Sequence, residues 1–278
     1  MHYFLYLINV GCSAGQSALS KGYAANGGNS ATFNVSKAFS GLVLFLLIGL
    51  VVGLKWHLPT VALGSLYGVF LSVSNYTGFK ALAVGSMALS SVVASFSLII
   101  PVIFGVAVWG ETVSGCGILG SGFLCVAIVM INMRKESGIN AKWAIYAFVT
   151  MLSNGFCSVI QKYHQICFPK AYRIEFTIVS LLCVLLTTII PYARNIKTSH
   201  TYISLEGLAA GVMNGFSGYI VLSLAATENA SILFPVVAVA NIIAACLVGR
   251  FAFRERIRPL QIGGIMLGML SILLLNIK

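Results

Sequence analysis

Two lysines are the first groups able to do chemistry in a chain that carries few charges. Lys21 lies in "GQSALSKGY" and Lys162 in "CSVIQKYHQ", each at the end of a long apolar stretch. An ammonium group is a compact, strongly hydrated charge suited to holding a carboxylate or a phosphate. An ionisable side chain within an apolar span is costly and marks a functional site by default. The alternative is that both lysines snorkel to lipid headgroups, as lysines near helix ends commonly do.

Neutral polar groups are scattered along the same stretches. Asn9, Ser13, Gln16 and Ser17 recur at spacings of three and four, which puts them on one face of a helix. Asn75, Tyr76, Asn154, Gln161, Asn214, Tyr219 and Asn241 extend the set along later stretches. Such groups either line an aqueous cavity or tie helices together at about 0.6 kcal/mol per hydrogen bond. Lys21, Lys162, Gln16, Asn75, Tyr76, Asn154, Gln161, Asn214, Tyr219 and Asn241 are therefore the candidate solute-binding residues. The tyrosines either stack on a solute or pack against neighbouring helices.

Glu111 and Glu255 have a structural expectation instead. Each stands at a turn, where a carboxylate caps the next helix or pairs with a base such as Arg254 or Arg258. No nucleotide-binding P-loop, Ser/His/Asp constellation or HExxH motif is present. The seven cysteines have no metal-ligand spacing. An enzyme is not expected, nor a metal, nor a cofactor.

These side chains need elements to position them, and the composition says which. Of 278 residues, 59% are hydrophobic and 8% charged, against about 25% charged in a soluble domain. A membrane helix needs about 20 mostly apolar residues, and the long unbroken runs select helices over a barrel. Spans are expected near residues 3 to 20, 34 to 54, 60 to 80, 84 to 109, 113 to 133, 141 to 161, 175 to 193, 204 to 224, 230 to 250 and 257 to 277. The run after Met1 lacks a basic leader and reads as the first span, not a removable signal. Two connections, Gly22 to Asn34 and His164 to Ile174, look longer than the rest.

The net charge of +11 would suggest nucleic acid in a soluble protein. Between membrane spans, basic residues follow from the positive-inside bias, so the expected partners are the bilayer and a small-molecule solute, with no nucleic acid. Loops after odd-numbered spans hold 12 basic residues and the remainder five, which places both termini outside.

Sliding the chain over itself by 141 to 144 residues pairs Lys21 with Lys162, Gly64 with Gly207, Gly68 with Gly211, Tyr76 with Tyr219, Glu111 with Glu255 and Asn132 with Asn276. Residues 1–136 and 137–278 then form two five-helix repeats. An odd number of spans inverts the second copy, and inverted repeats in transporters build a solute site near the midplane. Gly64 with Gly68 and Gly207 with Gly211 have the GxxxG spacing that lets helices approach closely, within one chain or in a homodimer.

The segments "SVVASFSLIIPVIFGVAVWGETVSGCGILGSGF" (91–123) and "PVVAVANIIAACLVGRFAFRERIRPLQIGGIMLG" (235–268) carry a family resemblance. Each runs from a small-residue helix through a Glu turn into a glycine-rich helix. The chain resembles the drug/metabolite transporter superfamily, specifically its EamA-type ten-helix branch. The usual "GE" turn is intact at Gly110 and Glu111 and becomes Arg254 and Glu255 in the second copy. The resemblance implies an all-α membrane fold and a secondary transporter of the cell membrane. The expected function is export or exchange of a small polar or anionic metabolite by alternating access. A neutral or aromatic amino-acid exporter and a non-transporting receptor or scaffold are the alternatives.

Overall fold

The computed structural model describes residues 2–26, 28–84, 93–94, 96–111, 115–132, 141–195, 203–252 and 259–275. Among them the regular structure is helical, with no strand. The helices are α1 (His2–Ala25), α2 (Ser30–Val52), α3 (Leu58–Val84), α4 (Ile99–Ala107), α5 (Gly115–Asn132), α6 (Ala141–Cys167), α7 (Arg173–Asn195), α8 (Leu205–Leu224), α9 (Ala230–Ala252) and α10 (Pro259–Leu275). Five of them, within α2, α3, α6, α7 and α8, are long and apolar enough to cross a membrane by length and composition.

The ends of these helices follow local chemistry. Asn29 caps α2 by accepting a hydrogen bond from the Ala31 N–H, and Ser204 caps α8 by accepting one from Gly207. Gly53 closes α2 at φ 86°, a left-handed conformation that glycine adopts without steric penalty. Helix α1 continues to Ala25 and α6 to Cys167, so the two connections expected to be long are short. A polar residue at the end of a span does not stop a helix whose backbone groups still need partners.

The span expected over 84 to 109 differs more. Its described part comprises residues 93–94, which are helical, a 3-10 turn, Phe96–Leu98, and the short α4 that follows the turn. Pro101 is the third residue of α4, a position whose N–H has no partner within the helix, so the ring is accommodated there.

Helix α3 packs on α6 and α7, and α8 packs on α1 and α2. Helices α2 and α7 touch, as do α5 and α10, while α4 contacts α6 and α9 and α1 contacts α9. Asn9 bonds Ser217 while Gly15 lies against Met213, so α1 rises as α8 descends and the pair is antiparallel. The turn 225–229 returns the chain, so α9 runs parallel to α1.

Glycines set the two closest approaches. A methyl group on Gly64 would stand 3.1 Å from the Phe176 carbonyl oxygen, and one on Gly68 2.9 Å from that of Ser180. On α8, the same group on Gly207 would stand 2.9 Å from the Phe33 carbonyl, and on Gly211 it would overlap the Lys37 carbonyl. Helix α3 thus lies on the backbone of α7, and α8 on that of α2. Replacing Gly211 with Ala should lower stability by about 1–3 kcal/mol through overpacking. Thermal unfolding in detergent measures it, with Gly218→Ala as control, because nothing lies within 4 Å of a methyl there. Equal melting temperatures for the two variants would contradict the close approach.

Candidate functional site

The most connected polar cluster begins with the turn after α4. Gly110 adopts φ 63°, and the Glu111 N–H donates to the Gly105 carbonyl at 2.9 Å. This left-handed closure reverses the chain and aims the Glu111 side chain back over α4. Gly105 makes room for it, since a methyl there would stand 2.6 Å from Glu111 Oε2. The sequence pair Gly110–Glu111 therefore has a mechanical basis: one residue makes the turn and the next uses it.

Among the described residues, Glu111 caps a helix distant in sequence. Its Oε1 accepts from the Ala230 N–H at 2.8 Å, and Oε2 accepts from the Ser231 N–H at 3.1 Å and the Ser231 hydroxyl at 2.9 Å. These are free donors of the first turn of α9, where the helix dipole also favours a negative charge. Arg254, Arg258 and Glu255 lie outside the described residues, and the described base facing Glu111 is Lys162. Lys162 Nζ stands 3.7 Å from Oε1 and also donates to the Glu228 carbonyl. Both side chains are buried, at 9% exposure for Lys162 and 8% for Glu111.

Lys162 is thus engaged by protein oxygens. The Lys21 side chain lies outside the described residues, although its backbone belongs to α1. Gln161 is buried beside Lys162 on α6, and Gln16 is half-buried on α1.

Asn154 is half-buried, and its Oδ1 accepts from the Ser74 hydroxyl of α3 at 2.7 Å. One turn away, Thr77 and Thr150 join the same two helices at 2.8 Å. Asn75 and Tyr76 are exposed, and the Lys80 ammonium stands over the Tyr76 ring at 5.7 Å. Tyr219 instead packs on Phe45 of α2, with ring centroids 5.6 Å apart. The two tyrosines, equivalent in sequence, have different surroundings. Asn214 and Asn241 are half-buried, and Asn241 Oδ1 has no hydrogen-bond partner.

The structure adds residues that are not among the candidate solute-binding residues. Asn9, one of a stripe of polar groups, is almost wholly buried and donates to both the carbonyl and the hydroxyl of Ser217. Arg173 at the start of α7 donates to the Ser223 hydroxyl at 2.9 Å, while its Nε is buried without a partner. Lys37 stands eight residues into α2, and a charge inside an otherwise apolar span is the signal that marks it. His57 stacks on Tyr172 at 5.0 Å, and His164 bonds Thr60 at 3.2 Å, forming an aromatic and polar layer where α3, α6 and α7 meet. Among the described residues no group of three or more His, Cys, Asp or Glu is arranged to hold a metal.

Likeness to solved structures reaches across the chain. A protein of known crystal structure covers 98% of this chain with 98% of its own, at a TM-score of 0.76 and 16% sequence identity. At that identity the likeness is one of fold. No family model and no curated protein matches the sequence.

Removing the Glu111 carboxylate should strand both the first turn of α9 and the buried Lys162 ammonium. Glu111→Ala is expected to cost about 3 kcal/mol or more, the range for breaking a buried pair. Lys162→Met should cost less, because Glu111 keeps three hydrogen bonds and Met fills similar volume. A double-mutant cycle by denaturant unfolding checks this. A coupling of about 1 kcal/mol or more is expected, and additive effects would mean the pair carries no interaction.

Proposed function

We propose that the chain is a multi-pass membrane protein of two inverted five-helix repeats that moves a small polar organic solute by alternating access. This is the function of the EamA-type branch that the sequence resembles, with the cell membrane as its place. The observation that carries the reading is that the inter-helix contacts survive exchange of the halves. Exchanging α1–α5 with α6–α10 turns α1·α8 into α3·α6, α2·α8 into α3·α7, and α1·α9 into α4·α6, and all of these pairs pack.

The equivalence extends to single residues. Gly64 meets Phe176 and Val179, and Gly207 meets Phe33 and Ser36, each related by 143 positions. Gly68 meets Ser180 and Cys183, and Gly211 meets Lys37 and Ser40, again 143 apart. Ser217 and Ser74 differ by the same 143, and they hold Asn9 and Asn154. The first helices therefore correspond at 145, which aligns "NVGCSAGQ" (9–16) with "NGFCSVIQ" (154–161). In that register Lys162 corresponds to Ser17, not to Lys21.

The solute reading changes with it. Lys162 acts as a clamp between halves, so the site is read as one of neutral polar groups rather than a lysine pair. Tyr219 packed against Phe45 and Tyr76 exposed on α3 give no support to an aromatic solute. Leu5, Tyr6, Trp109, Leu224, Leu233 and Phe234 pack together next to the Glu111 clamp, and in this proposal that cluster closes one end of the solute path. A transporter with one end sealed opens the other, and breaking the clamp is the step that reverses access.

Reconstituted into proteoliposomes, the protein should catalyse saturable exchange of labelled small metabolites above protein-free vesicles. Gly68→Leu, which wedges α3 off α7, should reduce that exchange at least tenfold. No exchange of amino acids, amines, polyols or organic anions would favour a receptor or scaffold instead.

A further inference from the structure

The seam between α1 and α9 is layered. Its outer layer is apolar: Leu5 and Tyr6 of α1 and Val237 of α9 pack against the cluster that contains Phe234 of α9. Asn9 follows Leu5 by four residues and Tyr6 by three, while Asn241 follows Val237 by four and Phe234 by seven. Those spacings keep each asparagine on the face its helix turns to the apolar layer. Because the two helices run parallel, both asparagines lie inward of that layer and within about one helical turn of each other in height.

The orientation of Asn9 is fixed by chemistry. Its amide faces the Ser217 carbonyl at 3.1 Å, and a carbonyl only accepts, so the NH2 group must point at α8. Oδ1 is turned away from α8. It is buried and has no hydrogen-bond partner, and the same is true of Asn241 Oδ1. Only two other described side-chain atoms, His57 Nδ1 and Arg173 Nε, share that condition. A buried acceptor left unpaired carries a desolvation penalty, so a pair on one seam calls for a donor.

The charge environment narrows the donor. Neither α1 nor α9 contains an acidic residue. The two amide oxygens present negative dipole ends without a net charge. A carboxylate or phosphate would meet oxygen against oxygen, whereas a hydroxyl would satisfy one acceptor and leave the other. A primary ammonium carries three donors and a positive charge, and serves both at once. Resting on the transporter reading above, we propose that Asn9 Oδ1 and Asn241 Oδ1 form an acceptor subsite on the α1–α9 seam that holds the primary ammonium group of the transported solute.

Thermal unfolding of the purified full-length protein tests this with probes on one three-carbon skeleton: propylammonium, propionate and propanol, with sodium chloride as a separate arm. Propylammonium should raise the melting temperature saturably and the others should not. Asn9→Leu and Asn241→Leu should each weaken that response about tenfold or more, the loss expected for a hydrogen bond to a charged group. Asn241→Leu removes no hydrogen bond, so its ligand-free form should melt at or above the parent's temperature, which separates lost binding from misfolding. Stabilisation by propionate or sodium alone, no response to propylammonium, or an undiminished response in both variants would each overturn the subsite. Proteoliposome flux then separates the two readings. A propylammonium shift without propylammonium flux keeps the subsite and removes its transport role. Flux of other solutes that Asn241→Leu leaves unchanged keeps the transporter and removes the subsite.

Discussion

The Glu111 carboxylate joins segments that the chain keeps far apart: the turn after α4, the first turn of α9, and the last turns of α6. A charge this deeply buried must be answered by donors, because the surroundings offer no bulk water to do it. Three hydrogen bonds and an ammonium answer it here. The requirements propagate backwards. Gly110 is needed to turn the chain, Gly105 to admit the side chain, and Lys162 to neutralise the charge. The apolar cluster beside it, from Leu5 to Phe234, is then held against the same helix start.

Away from this clamp, the described helices meet largely through glycines and hydrogen bonds between neutral groups, with Arg173 to Ser223 a charged exception. Asn9 with Ser217 and Ser74 with Asn154 are bonds of modest worth in a membrane, where the separated groups also find partners. Close backbone approach at Gly64, Gly68, Gly207 and Gly211 adds dispersion along broad contacts that tolerate small sliding. Among the described residues the energy is unevenly distributed: a buried ion pair at one end, and mostly weaker contacts elsewhere. Such a distribution suits rigid-body motion, since packed interfaces switch between discrete arrangements rather than stretching.

The helices themselves were legible because length and apolarity are local properties, and nine of the expected spans lie close to observed helices. The close-packing glycines were legible for the same reason. The partner of Glu111 was not, because a cap supplied from 119 residues away leaves no trace in local spacing. The lysine pairing depends on register. Two lysines at 141 positions look equivalent in sequence, while the repeat proposed from the hydrogen bonds of Asn9 and Asn154 aligns their helices at 145. One turn of helix separates those offsets, enough to change what a side chain faces while leaving the amphipathic pattern unchanged.

That correction alters the electrostatics of recognition. A lysine anchor would bind an anion through a full charge, which in a low-dielectric setting is strong and slow to release. With Lys162 held by Glu111 and the Glu228 carbonyl, recognition falls to amides and hydroxyls, whose dipoles hold a solute without trapping it. For the carrier proposed above this choice is favourable, since tight binding of the solute in one conformation raises the barrier to reaching the next. On the proposed function, the strong interaction lies between protein groups beside the Leu5–Phe234 cluster, and the weak ones where a solute would arrive and leave.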